Sequence, residues 1–289
     1  MDFIKKILME NGKFIFPVND KQAYLKYPDE KIIYNKLLLS DIQNLNCNPI
    51  PIIPSIFPII IKPIINLDGM SKGFKKIDNK EEYIKYNYEN NLAGYFYQKY
   101  LPGVQLNFDI IFRNGKIIDY FCLKSYPLTN GMFKYHEFFK DGILSKKNIE
   151  ILESILYNYT GFCNIEVIDD YMIEAHLRLN CDMFIYNEND LTKLVHFYKT
   201  SEYDKIIIPE KIYFVPFFFK GGYLDKFIIE NYLNDYKKFI IDFKFNDINS
   251  TSQSIDKRFL CITTNNLDKI LELKNIIYKK FNIDYNIYG

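Results

Sequence analysis

Apolar and polar positions alternate along much of the middle of this chain and recur at helical spacing on either side of it. Residues 1 to 33 read as short strands, with "ENGKFIF" (Glu10 to Phe16) as a hairpin signal around Asn11-Gly12. The spacing of "YNKLLLSDIQN" predicts a helix beginning near Asn35. An apolar strand, "IIIKP", then runs into Lys62, followed by the glycine-bracketed loop "GMSKGF" (Gly69 to Phe74) and a helix opened by "IDNKEEY". "GYFYQKYL" and "VQLNFDIIFRNGKIIDYFCLKS" read as strands, with Arg113-Asn114-Gly115-Lys116 as a tight turn and a variable segment after them. "SKKNIEILESILYNYTGF" is an amphipathic helix for which Gly161 supplies the stop signal. Two strands, "CNIEVI" and "YMIEAHLRL", meet at Asp169-Asp170. Beyond residue 200 the pattern gives an extended "KIIIPEKIYFVPFFF", a helix in "DKFIIENYLNDYKKFI", the strand "RFLCITT" and a last helix "NLDKILELKNIIYKKF" capped near Asn266.

Composition narrows the class. The chain has 289 residues, 48% hydrophobic and 25% charged, enough to bury a sizeable core divided between lobes. A net charge of +1 argues against general nucleic-acid binding, which needs a basic surplus. Five scattered cysteines, Cys47, Cys122, Cys163, Cys181 and Cys261, have neither metal-ligand nor redox spacing, which fits a reducing, cytoplasmic setting. "MDFIKKILMENGKF" does not resemble a secretory signal, its apolar part being too short, and "PIPIIPSIFPIIIKPII" holds five prolines, so neither a signal nor a membrane span is expected.

Three features carry candidate chemistry. A lysine at the end of a buried strand calls for an anion, and the flexible Gly-x-x-x-Gly loop after Lys62 can wrap backbone N–H groups over phosphate oxygens. Glu166 and Glu174 lie inside apolar strands on either side of a short turn, where paired carboxylates suit a divalent ion. The competing reading places both on a solvent-facing side of the sheet. Glu174, His176 and Arg178 alternate along one strand face.

Taken in order, "IIIKP", "GMSKGFKKIDNKEEY", "YFYQKYLPGVQLNFDIIFRNGKII" and "GFCNIEVIDDYMIEAHLRLN" resemble the ATP-grasp ligases, in particular the carboxylate–amine ligases that join amino acids. The resemblance spans roughly residues 35 to 197. It implies an α+β fold in which two lobes sandwich ATP, with residues 1–34 as a reduced N-terminal segment, 35–200 as the nucleotide-binding region and 201–289 as a small C-terminal α/β extension. It also implies roles. Lys62 would contact the α- and β-phosphates, with Lys36 as the earlier nucleotide-contacting lysine. Ser71 and Gly73 would lie in the loop over the phosphates. Gln98, Lys99 and Leu101 match the adenine hinge, Gln105 the ribose position, Glu166 and Glu174 the magnesium carboxylates, and Arg178 the arginine that steadies the acyl phosphate.

The sequence departs from that pattern in three places. Gln105 replaces an acidic ribose ligand and adds no charge. His176 stands where the family has a metal-side asparagine, which brings manganese in beside magnesium because imidazole suits a transition metal. Far fewer residues precede Lys36 than the full α/β domain that members carry. The implied activity is ATP-dependent amide formation through an acyl phosphate, with small-molecule carboxylate and amine substrates. A non-catalytic nucleotide binder and a phosphotransferase are the alternatives. The C-terminal region reads either as a compensating lobe or as a homodimer interface.

Overall fold

The structure is a computed structural model that describes residues 7–68, 73–128, 133–180, 186–219, 224–245 and 257–284. A short hairpin, β1 (Met9–Glu10) and β2 (Lys13–Phe14), turns at Asn11 and Gly12, both at positive φ. The next segment departs from the short strands expected up to residue 33. Asn19 accepts a hydrogen bond from Gln22 N and opens a helix, α1 (Asp20–Lys26), before a 3-10 turn at Lys31–Tyr34. The expected helix near Asn35 is α2 (Lys36–Ile42), capped by the Asn35 side chain on Leu38 N at 2.9 Å. There follow β3 (Cys47–Pro49), β4 (Ile59–Pro63), β5 (Lys75–Ile77), α3 (Lys80–Glu89) and β6 (Tyr95–Lys99). Next come β7 (Gln105–Arg113), β8 (Lys116–Pro127), β9 (Phe133–Phe138), α4 (Lys146–Ile155), β10 (Gly161–Ile168) and β11 (Tyr171–His176). The chain continues with α5 (Glu188–Thr200), β12 (Tyr213–Phe219), α6 (Lys226–Asp235), β13 (Ile240–Phe245), β14 (Lys257–Thr264) and α7 (Leu267–Lys280).

These elements form two compact units, residues 16–122 with 141–181, and residues 1–15 with 123–140 and 182–289. The first contains an antiparallel four-stranded sheet in the order β3-β6-β4-β5. Its core is Ile59, Ile61, Ile77, Tyr83, Leu92 and Tyr97, so β4 is buried on both faces and carries Lys62 inward with it. The same unit places β11, β10, β7 and the first part of β8 side by side. Asn114 and Gly115, both at positive φ, make the β7–β8 turn that the Asn-Gly pair predicts. A Cβ at Gly115 would meet the Tyr157 carbonyl, so the turn also serves a close backbone approach.

Two sequence expectations change here. Gly161 does not stop α4: that helix ends at Ile155 with Leu156 as its cap, and Gly161, at φ 154, is the first residue of β10. The variable segment after β8 contains β9, which pairs with β8 through Leu123–Phe138 and Pro127–Phe133.

In the second unit the last part of β8 is followed across the sheet by β9, β12, β14 and β13. Of the extended stretch before it, only Tyr213–Phe219 pairs as a strand. α6 and α7 cover this sheet over a core that includes Phe217, Phe259, Ile262, Leu273 and Ile277. Among the described residues no helix is long and apolar enough to cross a membrane.

One buried cation in this unit is energetically unfavourable. Lys274 is fully buried, its Nζ makes no hydrogen bond among the described residues, and it lies 5.4 Å from the centroid of the Tyr278 ring. Burial, aided by repulsion from Lys134, pushes its amine from 10.5 down to about 7. The unfolded chain binds this proton more tightly, so the destabilisation is fully present below pH 7 and is relieved as pH rises towards 10.5. Lys274→Met is expected to raise unfolding stability at pH 7 by at least about 1 kcal/mol and to flatten the rise above it. Urea unfolding at two pH values measures both effects, and an unchanged midpoint at pH 7 would count against them.

Candidate functional site

The site is built on the β10–β11 hairpin of the first unit. Asp169 and Asp170, both at positive φ, form a two-residue turn, and this fixes the register so that Glu166 stands opposite Glu174 and Asn164 opposite His176. A local irregularity follows Glu166, and the ladder resumes at Val167–Met172. Because side chains alternate along a strand, Glu174 and His176 share one face. Glu166, Glu174 and His176 each offer a donor atom, and all three atoms lie within 4.8 Å of one another.

Helix α2 is docked to that hairpin by one amide side chain. Gln43 Nε2 donates to Met172 O at 2.8 Å, and Gln43 Oε1 accepts from Met172 N at 2.7 Å, so a side chain takes the place of a neighbouring strand. This fixes the first residue of α2, Lys36, with Nζ 2.9 Å from Glu174 Oε1. The Lys36 side chain is only 5% exposed, so the pair is deeply enclosed. Ser40 Oγ donates to Lys36 O at 2.9 Å and lies 3.2 Å from Gln98 Oε1, which places the buried Gln98 of β6 against the same helix.

Lys62 reaches the hairpin from β4. Its Nζ donates to Ile173 O at 2.8 Å and lies 5.7 Å from the centroid of the Phe96 ring. Burial pushes its amine down to about 8, against the pull of Glu174 and helped by Lys36. The glutamates diverge. Burial and the Glu174 charge push Glu166 up. For Glu174 burial acts upward too, but His176, Lys36 and Lys62 outweigh it and hold the group below its ordinary value. Burial and charge thus act in opposite directions on the two facing groups, pushing Glu166 towards its neutral form and holding Glu174 towards its carboxylate.

A third carboxylate enters from α1. Asp20 Oδ1 is 2.9 Å from His176 Nδ1, and Asp20 Oδ2 accepts from Arg178 Nη2 at 2.8 Å. The Tyr34 hydroxyl donates to Asp20 Oδ1 at 3.3 Å and accepts from Leu177 N at 3.0 Å. Burial acts to raise the Asp20 carboxyl, yet His176 and Arg178 together hold it well below the carboxylate range. Burial, reinforced by the Asp20 charge, pushes the Tyr34 hydroxyl up, so it remains a neutral donor. A fourth acid, Asp109 on β7, is buried and accepts from Asn164 Nδ2 at 2.9 Å and from Asn180 N at 2.6 Å.

The structure therefore gathers six residues singled out from sequence, Lys36, Lys62, Glu166, Glu174, His176 and Arg178, around one hairpin. Lys99 and Leu101 lie at the exit of β6, where Lys99 N donates to Asn46 O. Gln105 starts β7 opposite Ile168 and is half-buried. Gly73 has φ +79, and a Cβ there would meet the Tyr95 hydroxyl. Ser71 and most of its loop lie outside the described residues. Asp20, Tyr34, Gln43 and Asp109 were not singled out. Asn19 before Asp20 is a helix-start signal that could have placed Asp20 in a first turn, but no local signal points it at His176.

The residues fit a divalent ion on the chemistry of their donor set: two carboxylates and an imidazole, with donor atoms close enough to converge on one centre.

The chain matches no protein-family model and no curated protein in sequence. Its structure is similar to that of an L-amino acid ligase from Bacillus licheniformis, with a TM-score of 0.59 and 11% identity, covering 90% of this chain and 75% of that one. It is similar to carboxyaminoimidazole ribonucleotide synthase from Aspergillus clavatus complexed with ATP, with a TM-score of 0.60 and 9% identity over 86% of this chain and 74% of that one. A third likeness is to the biotin carboxylase domain of Hydrogenobacter thermophilus 2-oxoglutarate carboxylase, in complex with magnesium ADP and bicarbonate. That TM-score is 0.51 at 13% identity, over 86% of this chain and 67% of that one. At these identities the likeness establishes the fold, and the chain has the ATP-grasp fold expected from its sequence.

Proposed function

We propose that this protein is an ATP-dependent ligase that joins a small-molecule carboxylate to an amine through an acyl phosphate. The observation that carries the reading is the convergence on one hairpin of two lysines from separate elements, Lys36 and Lys62, with the facing glutamates Glu166 and Glu174. Buried cations next to paired carboxylates are what a triphosphate with its divalent ion requires, and the likeness to a synthase complexed with ATP and to a biotin carboxylase domain in complex with magnesium ADP supports that use.

In this reading Lys62 exchanges its contact with Ile173 O for phosphate oxygens, and Lys36 turns from Glu174 to the same group. Lys99 would meet the adenine edge through its carbonyl, because its N–H is committed to Asn46 O, and Leu101 would do so through its N–H. Gln105 would accept from the ribose, and Ser71 and Gly73 would belong to the loop over the phosphates. A magnesium or manganese ion held by Glu166, Glu174 and His176 would neutralise phosphate charge. A carboxylate oxygen of the substrate attacks the γ-phosphorus and ADP leaves. The neutral amine then attacks the acyl carbon and gives up one proton, the carbon–oxygen bond breaks, and phosphate departs with that proton and the oxygen that the carboxylate contributed. Arg178 would stabilise charge on the transferred group. The residue limits 35–200 for the nucleotide-binding region and a dimer through residues 201–289 belong to the same proposal.

A nucleotide binder without turnover is the second reading, and one contact favours it: Lys36 Nζ sits 2.9 Å from Glu174 Oε1, an ammonium beside a carboxylate that a metal would need. Calorimetry with ATP and magnesium tests what the two readings share. Lys62→Ala is expected to weaken binding by about 1.5–3 kcal/mol through loss of a charge-assisted phosphate contact. Equal affinity in the two proteins would remove Lys62 from the site. Product analysis then separates the activities, since ADP with an amide marks a ligase and ADP with a phosphoester a phosphotransferase.

A further inference from the structure

His176 is held from both sides. Its Nδ1 is 2.9 Å from Asp20 Oδ1, and its Nε2 is 3.7 Å from Glu174 Oε1. Asp20 also accepts from Arg178 Nη2 at 2.8 Å, and an ionised carboxylate in such a pair can only accept. The hydrogen in the Asp20–His176 contact therefore belongs to Nδ1. In the neutral ring the lone pair then lies on Nε2, which faces the two glutamates. The arrangement is enclosed, with the His176 side chain 5% and the Asp20 side chain 6% exposed. Tyr34 anchors it by donating to Asp20 Oδ1 while accepting from the backbone N–H of Leu177.

We propose that Asp20 is the positioning residue of a mixed nitrogen–oxygen metal site, formed by Glu166, Glu174 and His176 Nε2, that selects manganese over magnesium. The inference rests on the metal-dependent site proposed above. Magnesium takes oxygen ligands in near-ideal octahedral geometry, whereas imidazole nitrogen is a good donor to later divalent ions. A carboxylate on the far nitrogen fixes the tautomer and ring orientation and raises the basicity of the ligating one. Lys36 beside Glu174 is a competing cation, so the site favours an ion that gains from the nitrogen donor.

The test uses the full chain without nucleotide. Manganese binding is followed by electron paramagnetic resonance and then by displacement with magnesium. Wild type is expected to prefer manganese by roughly tenfold or more. Asp20→Asn should weaken manganese by about 10- to 100-fold while leaving magnesium nearly unchanged, and Asp20→Glu should recover part of the preference. Thermal melting reports whether each variant folds. If Asp20→Asn does not fold, His176→Asn carries the test with the same expected loss of preference. Equal weakening of both ions in a folded Asp20→Asn protein, or a wild type indifferent between them, would overturn the inference. ATP turnover supported by magnesium alone, with no manganese preference, would overturn it while leaving the ligase reading standing.

Discussion

Glu174→Gln is expected to lower metal-dependent ATP turnover by about 10²- to 10³-fold or more, while the protein remains folded. Glu174 is where the site's contacts meet: Lys36 Nζ lies at 2.9 Å, His176 Nε2 at 3.7 Å, and Glu166 is its cross-strand partner. The amide keeps the side chain's size and removes its charge. On the proposed reading a divalent ion would lose one of two carboxylate ligands, and the enclosed Lys36 loses its anionic partner. ADP release assayed across metal concentrations measures the loss, with far-ultraviolet circular dichroism as the folding control. Wild-type turnover in the variant would show that the chemistry is centred elsewhere.

Asp20→Ala is expected to lower unfolding stability by about 3–5 kcal/mol, because it leaves the Arg178 guanidinium buried without the carboxylate that now accepts from it. His176 Nδ1 and the Tyr34 hydroxyl lose the same acceptor. The large figure follows from removing one member of a buried pair, as distinct from exchanging the whole pair for apolar residues. Urea unfolding reads it directly. A loss below about 1 kcal/mol would mean that water replaces the carboxylate at little cost.

How far the sequence discloses this site depends on whether a contact is fixed locally. The Glu166–Glu174 pairing was legible because two apolar strands and a two-residue turn leave few registers, and the turn residues Asp169 and Asp170 tolerate positive φ. The helix carrying Lys36 was legible from its Asn35 cap, and β4 from its unbroken isoleucines ahead of Lys62. Asp20 was not legible. It lies 156 positions from His176, and it sits in a seven-residue helix whose formation rests on tertiary packing more than on propensity. β9 escaped for another reason: "FKYHEF" alternates only over Phe133 to His136 before the pattern breaks at Glu137, too short a run to mark a strand. Gly161 was misread as a helix stop because a glycine after an amphipathic run carries that meaning more often than it opens a strand.

The central claim, transfer of a phosphoryl group to a carboxylate followed by its displacement by an amine, is tested most directly by isotope transfer. Proteinogenic amino acids labelled with oxygen-18 in their carboxylates are incubated with ATP, a divalent metal and the protein, and the released phosphate is analysed by phosphorus-31 magnetic resonance. Acyl-phosphate chemistry requires each turnover to move one labelled oxygen from carbon to phosphate, and that transfer, accompanied by ADP and an amide, is the expected result. ADP formed while the label stays on carbon, or phosphate retained in a phosphoester, would contradict it.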